Sequence, residues 1–121
     1  MDMKSTVLVV EDEFLLRDYA VDFLEEASFA VLQAADPDEA IAILSSRHDV
    51  GVLFTDINFI GKTGGLRLAW EVFSRWPDIQ ILITSGKARP HFGEMPPNSD
   101  FIAKPYGPKA VVGAIREATR H

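Results

Sequence analysis

Acidic, hydroxyl and amine side chains follow four short apolar runs of this sequence, each at the position where the run ends. They are Glu11 and Asp12 after residues 6–10, Asp56 after 50–55, Ser85 after 79–84 and Lys104 after 101–103. Three carboxylates within a few ångströms repel one another unless a cation lies among them. Oxygen ligands without imidazole or thiolate suit Mg²⁺. We therefore expect a magnesium site if these positions meet in the fold.

The same residues have the chemistry for phosphoryl transfer. A carboxylate can attack phosphorus and form an aspartyl phosphate. The charge that spreads over the phosphoryl oxygens must then be neutralised by a metal ion and by fixed donors. Lys104 offers an ammonium group to one oxygen, and the Ser85 hydroxyl offers a hydrogen bond to another. The hypothesis is therefore transfer of a phosphoryl group to Asp56.

Apolar runs alternate with helical patterns along the whole chain. The patterns predict strands at 6–10, 29–34, 50–55, 79–84 and 101–103, and helices at 14–27, 37–47, 66–76 and 108–119. Asp36 and Pro37 are a typical N-cap and first helical residue. Residues 87–99 contain three prolines, so any helix there is short. The alternation predicts a doubly wound α/β fold, whose five-stranded parallel sheet collects functional groups at its carboxyl edge.

Length and composition favour one globular domain over residues 1–121. The chain is 47% hydrophobic and carries a formal net charge of −6. An acidic domain repels nucleic acid, so direct binding to DNA or RNA is not expected. There is no cysteine, which excludes disulfides and thiolate metal sites. No apolar stretch approaches the roughly 20 residues that span a bilayer. We expect a cytoplasmic protein without membrane contact, either a stand-alone domain or one excised from a longer protein.

The order of the motifs resembles the receiver domains of two-component response regulators. The match consists of an acidic pair after the first strand, Asp56 after the third, Ser85-Gly86 after the fourth and Lys104-Pro105-Tyr106 after the fifth, and it covers nearly the whole chain. The resemblance implies a flavodoxin-like strand order 2-1-3-4-5. It also implies that a histidine kinase or a histidine phosphotransfer protein phosphorylates Asp56 with Mg²⁺, which switches a partner-binding surface.

The resemblance further assigns roles to individual residues. Asp12 would bind Mg²⁺ directly, Glu11 would act mainly through water, and Asn58 would offer its backbone carbonyl. Ser85 would be the switch hydroxyl, Phe101 the switch aromatic residue and Lys104 the partner of the phosphate. The remaining assignments are a cis peptide before Pro105, and tuning of the phosphate lifetime by Asn58 and Lys87.

Some positions depart from the pattern of the family. Ile60 stands where a proline is usual, the glycine-rich loop 61–65 is one residue longer than is common, and residues 87–99 are rich in proline. These changes affect the expected output surface rather than the phosphoacceptor. Phe14 and Leu15 lie off the inner stripe of the first helix, next to the acidic pair. They form either a docking patch or a packing contact with a neighbouring loop.

Several alternatives stay open at this point. Each acid taken alone could be an ordinary solvated residue, Phe101 could belong to the core, and Trp70 and Trp76 fit the packing face or the end of their helix. A receiver-fold adaptor would work without phosphate. A phosphatase would need a second aspartate where Asn58 stands, so an enzyme acting on other substrates is not expected. Gly61-Lys62-Thr63 resembles a nucleotide-binding loop only in part, because Asp56 occupies the position of its first glycine.

Overall fold

The computed structural model describes residues 6–57, 65–87, 89–91 and 93–119. Within these residues five strands alternate with four helices. The elements are β1 (Thr6–Val10), α1 (Phe14–Glu26), β2 (Ala30–Ala34), α2 (Pro37–Ser46), β3 (Val50–Asp56), α3 (Gly65–Arg75), β4 (Gln80–Ser85), β5 (Asp100–Ala103) and α4 (Pro108–Thr119). Each observed boundary lies within one residue of the bound that the sequence predicted, so the periodicity of the apolar residues identified every element of the described chain.

The five strands form one parallel sheet in the order β2-β1-β3-β4-β5. This order confirms the predicted topology. In the register of the sheet, Val10 lies beside Thr55, Asp56 beside Thr84, and Ser85 beside Ala103. The carboxyl ends of the four strands β1, β3, β4 and β5 are therefore level with one another, which brings the polar residues that follow them to one edge.

Helices cover both faces of the sheet. Each residue of β1 and β3 is buried, which explains why both strands are continuous apolar runs in the sequence. On one face, Leu8 and Val10 pack in a cluster with side chains of α2 and α3. On the opposite face, Val7 and Val9 pack in a second cluster with side chains of α1 and α4. The site at the strand ends thus stands on a rigid core with two layers of helices.

The start of α2 shows how local sequence sets the boundary of a helix. The carboxylate of Asp36 accepts a hydrogen bond of 2.9 Å from the backbone N–H of Glu39. Pro37 occupies the first helical turn, where its missing N–H costs nothing. The Glu39 side chain in turn accepts from the N–H of Ala35 at 2.7 Å. Both predicted start signals are therefore in place.

The proline-rich stretch between β4 and β5 contains turns and no helix among its described residues. We call residues 89–91 and 93–99 the proline segment. The indole Nε1 of Trp70 on α3 donates to the carbonyl of Glu94 at 2.8 Å. Met95 packs against the core cluster beside α3, and Pro96 is buried. The segment is thus held against α3 by side-chain contacts, in the stretch where the sequence predicted that any helix would be short.

Candidate functional site

Backbone hydrogen bonds align the residues at the carboxyl edge of the sheet. The N–H of Glu11 donates to the carbonyl of Ala34 at 3.1 Å, and the N–H of Lys104 donates to the carbonyl of Ser85 at 3.0 Å. The N–H of Ile57 donates to Thr84 at 3.2 Å. These bonds continue the sheet by one residue at the end of three strands. They place the side chains of Glu11, Asp56 and Lys104 at a common edge.

Lys104 bridges two buried carboxylates at this edge. Its Nζ lies 2.9 Å from Oδ2 of Asp56 and 3.0 Å from Oε1 of Glu11. Glu11 is 4% exposed and Asp56 is 2% exposed. Charge-assisted hydrogen bonds of this length are about twice as strong as neutral ones. Lys104 is therefore fixed beside the carboxylate to which the sequence assigned the phosphoryl group.

The surroundings change the proton affinities of two of these groups. Burial raises the pKa of Glu11 above its ordinary value of 4.5, although the N–H of Glu13 at 3.1 Å and the ammonium of Lys104 oppose this change. Burial alone would lower the pKa of Lys104. Its hydrogen bonds to Asp56 and Glu11 outweigh burial and raise the pKa above 10.5. Lys104 therefore carries its charge throughout the neutral range.

The acidic residues fit the predicted magnesium site. Glu11, Asp12 and Asp56 each present a carboxylate oxygen, and these oxygens all lie within 4.8 Å of one another. The formal charges of these three carboxylates and of Lys104, which pairs with Glu11 and Asp56, sum to −2. A divalent cation with oxygen ligands matches both the charge and the donor type. Asn58 lies outside the described residues, so its backbone carbonyl stays a prediction.

Ser85 and Phe101 lie on the same face of the sheet. Ile83 of β4 pairs with Phe101 of β5, and Ser85 lies two residues after Ile83, so all three side chains point toward α3. Ser85 is 1% exposed, and its Oγ accepts a hydrogen bond of 3.0 Å from the N–H of Lys87. Phe101 packs against the core cluster beside α3, and the Arg89 guanidinium lies 5.5 Å from its ring centroid.

An aromatic cluster supports the opposite side of the site. The peptide bond between Lys104 and Pro105 is cis. The ring of Tyr106 then packs 5.4 Å from that of Phe54 and 6.1 Å from that of Phe23, between centroids. Burial, followed by the charge of Glu11, raises the pKa of Tyr106 far above its ordinary value. Its hydroxyl is therefore neutral, and the ring serves to hold the β5 end in place.

Arg17 is a positioning residue that the sequence analysis missed. Its Nη1 donates to the backbone carbonyl of Glu11 at 2.8 Å, and its Nε donates to the side chain of Gln33 at 3.0 Å. It thereby ties the acidic pair to α1 and β2. In the sequence, the only signal for this positioning role is that Arg17 lies near the start of the first predicted helix, shortly after the acidic pair.

The remaining predicted residues lie at the surface. Phe14 and Leu15 begin α1, and they are 63% and 74% exposed. The guanidinium of Arg17 lies 5.6 Å from the centroid of the Phe14 ring, which braces that ring next to the acidic edge. Lys87 is exposed two residues after Ser85. The exposed side chains of Phe14, Leu15 and Lys87 therefore lie at the surface and not in the buried part of the site.

The fold and the site define a flavodoxin-like α/β domain with an acidic, lysine-containing pocket at the carboxyl edge of its sheet. The sequence model of the response regulator receiver domain matches residues 7–116. The chain belongs to this family. Receiver domains of two-component systems are phosphoacceptor signalling modules that histidine kinases phosphorylate, and they bind Mg²⁺ in an acidic pocket.

Individual relatives agree with this assignment. The hydrogenase transcriptional regulatory protein HoxA of Cupriavidus necator is 34% identical over 97% of this chain, which spans 24% of that protein. The regulatory protein VirG of Rhizobium rhizogenes is 30% identical over 94% of this chain, which spans 48% of that protein. The chain thus covers less than half the length of these relatives.

A solved structure is similar over nearly the full length of both chains. The response regulator receiver protein of Sinorhizobium medicae is 25% identical, with a TM-score of 0.87, and the match covers 94% of this chain and 93% of that one. The chemotaxis response regulator CheY4 of Vibrio cholerae shares the fold at 24% identity and a TM-score of 0.82. In the part of the chain that the structure describes, no helix has the length and apolar character needed to cross a membrane.

Proposed function

We propose that this chain is a phosphorylatable receiver in which Asp56 accepts a phosphoryl group from a phosphohistidine. The donor is a histidine kinase or a histidine phosphotransfer protein. The observation that carries the proposal is the buried Asp56 carboxylate, which lies 2.9 Å from Lys104 and within 4.8 Å of the carboxylates of Glu11 and Asp12. An adaptor that works without phosphate has no use for this costly arrangement, because buried like charges destabilise a fold.

The proposed transfer uses side chains at the carboxyl edge of the sheet. A carboxylate oxygen of Asp56 attacks phosphorus, the bond from phosphorus to the imidazole nitrogen breaks, and that nitrogen keeps the electron pair. The Lys104 ammonium and the Ser85 hydroxyl then face oxygens of the phosphoryl group on Asp56. Bound Mg²⁺ would be held by Glu11, Asp12, Asp56 and the carbonyl of Asn58, and it supplies positive charge to the phosphoryl oxygens.

The proposal includes the wider setting of the domain. Residues 1–121 act as one receiver domain of the cytoplasm, with a protein partner rather than nucleic acid or membrane. Its only catalysis is its own phosphorylation and dephosphorylation. Ser85 and Phe101 form the switch that reports the phosphoryl group to the partner-binding surface. The supporting observation is that both side chains share one face of the sheet, on which Phe101 packs against the core cluster beside α3.

Incubation with phosphoramidate tests the phosphoacceptor directly. We expect one phosphoryl group to be added in the presence of Mg²⁺ and none after chelation, as measured by intact mass. Asp56→Asn should abolish labelling, whereas the exposed matched control Asp100→Asn should label like the parent. Labelling of Asp56→Asn at the parent rate would overturn the assignment. Turnover of small phosphate esters would instead identify a phosphatase, and a partner bound equally by the parent and Asp56→Asn would identify an adaptor.

We also propose that Phe14 and Leu15 dock the phosphohistidine donor. The two exposed apolar side chains adjoin the acidic edge at the first turn of α1. The double variant Phe14→Ala/Leu15→Ala should slow transfer from a phosphorylated histidine phosphotransfer protein about tenfold or more, which is the loss of a small apolar contact. Labelling by phosphoramidate, which needs no protein contact, should stay unchanged. Equal slowing with both donors would reject the docking role.

A further inference from the structure

The proline segment and α3 leave a groove between them. Its first lobe is a cavity of about 380 Å³ lined by Trp70 and by residues of the proline segment. A second, more open lobe of about 610 Å³ continues past Leu66 and Arg67, and both lobes share Trp70 and Gly93. We call this surface the Trp70 groove. Its volume falls in the range of sites that hold a large side chain or a short peptide.

The lining of the first lobe is mainly apolar. Trp70 is 39% exposed, and its hydrogen bond to the carbonyl of Glu94 fixes the orientation of the indole. The ring of Phe73 supports it edge to face, with centroids 5.8 Å apart. Met95 and Pro97 also line this lobe. Tryptophan and methionine are both enriched at the centres of protein interfaces.

The charges around the groove select the partner. Arg67 and Arg89 are exposed on its lobes, and neither has an ion-pair partner among the residues described. Of the two carboxylates of the second lobe, Glu71 pairs with Arg75 at 2.9 Å, whereas Glu94, in the described part of the chain, accepts only from the neutral backbone N–H of His91. Among the described lining residues, the two guanidinium groups thus face one carboxylate without a basic partner, Glu94, on a chain whose net charge is −6. Acidic ligands complement this patch.

We propose that the Trp70 groove docks an acidic segment of a partner protein. One large apolar side chain of that segment inserts against Trp70 and Met95, and carboxylates on either side pair with Arg67 and Arg89. This proposal rests on the proposed function at one point only, the link between the groove and the switch residue Phe101. Arg89 lies over the ring of Phe101, so a change at the switch residue would alter one wall of the groove.

Titration with a short synthetic peptide tests the binding. The probe carries one leucine-phenylalanine pair between two aspartates on each side, and its control carries alanines in place of that pair. We expect the probe to shift the NMR signals of the Trp70 indole and the Met95 methyl group, with the indole of Trp76 as an internal reference. Arg89→Glu should weaken binding about fivefold or more. Arg116→Glu makes the same charge change on α4, against α1, and should leave affinity within about twofold.

Each outcome decides for or against the groove. The proposal is overturned if the probe does not bind up to about 1 mM. It is also overturned if the alanine peptide binds equally well, or if Arg89→Glu binds like the parent. Concentration-dependent self-association that protects Trp70 would assign the groove to a second copy of the chain instead. These titrations use unphosphorylated protein, so their failure leaves the labelling of Asp56 untouched. A beryllofluoride mimic, added separately, should change the affinity of the probe; an unchanged affinity would overturn the link to Phe101.

Discussion

At the scale of single residues, the acidic cluster carries more negative charge than Lys104 neutralises. We therefore expect Mg²⁺ to raise the melting temperature of the unphosphorylated domain. A ligand that binds only the native state stabilises it by about 2.7 kcal/mol at a hundredfold excess over Kd. Asp12→Ala should abolish the shift in a thermal denaturation series, while Asp22→Ala, on the exposed face of α1, should retain it. No shift of the parent at tens of millimolar Mg²⁺ would contradict the magnesium site.

Two buried threonines in neighbouring strands offer a matched pair of variants. The hydroxyl of Thr84 is buried without a hydrogen-bond partner among the described residues, whereas that of Thr55 donates to the carbonyl of Asp56 at 2.8 Å. Thr84→Val should raise the free energy of unfolding by about 1 kcal/mol, because it removes an unsatisfied polar group. Thr55→Val should lower it by about 1 kcal/mol. Urea denaturation measures both, and equal signs for the two variants would refute this account.

The lifetime of the phosphoryl group should depend on the residues that flank it. Lys87 lies two residues after Ser85, and its N–H is already bonded to the Ser85 hydroxyl. Hydrolysis needs a water molecule in line with the breaking bond, so a long cationic side chain here can exclude that water. We expect Lys87→Ala and Asn58→Ala to change the dephosphorylation rate in Mg²⁺. Changes below about twofold in both, roughly 0.4 kcal/mol in the barrier, would rule this out.

At the scale of elements, β4 and β5 connect the site to the surface. Phosphorylation adds a charge of about −1.5 to −2, which gives the Ser85 hydroxyl a strong acceptor. Movement of Ser85 toward the phosphoryl group would free space on the face that it shares with Phe101. We expect a beryllofluoride mimic to change the NMR signals of the Phe101 ring and of Tyr106 together. Ser85→Ala should remove the response of Phe101, and unchanged parent spectra would disprove the coupling.

The elements themselves were largely predictable, since buried parallel strands leave continuous apolar runs such as residues 6–10 and 50–55. The convergence of Glu11, Asp56 and Lys104 also followed from the sequence, because the carboxyl ends of parallel strands share one edge. The contacts between distant side chains did not follow. The hydrogen bond from Trp70 to Glu94 depends on the path of the proline segment. The three prolines of this stretch predict only that any helix in it is short. The second carboxylate on Lys104 likewise depends on the rotamer of Glu11.

At the scale of the whole molecule, an exposed ion pair lies at the edge of the sheet opposite the acidic cluster, where β1 and β3 begin. Arg47 bonds to Asp49 at 2.6 and 2.9 Å, and the Thr6 hydroxyl at the start of β1 donates to the same carboxylate at 3.2 Å. The hydrogen bonds from Arg47 contribute most to lowering the pKa of Asp49, which falls to about 2. A depressed carboxyl pKa stabilises the fold above the ordinary value of 3.8, and this contribution is lost as the pH falls toward 2.

Asp49→Asn should therefore melt at a lower temperature than the parent near neutral pH. The difference should shrink below pH 3.8 and vanish only below pH 2, as thermal denaturation at several pH values will measure. Asp100→Asn is the control, since it removes an exposed carboxylate that has no ion pair in the described part of the chain. A difference that stays constant across this pH range would show that Asp49 contributes through packing rather than charge.

Because the chain is synthesised from its N-terminus, the carboxylates of the acidic cluster are made before Lys104. Glu11 directly follows β1 and Asp56 ends β3, and these two strands lie side by side in the sheet, whereas Lys104 is made 48 residues after Asp56. At ordinary translation rates of 5–20 residues per second this interval lasts roughly 2–10 seconds. A nascent chain that pairs β1 with β3 during that time gathers its carboxylates before the lysine arrives. We therefore expect cations to stabilise such a nascent chain more than they stabilise the finished domain.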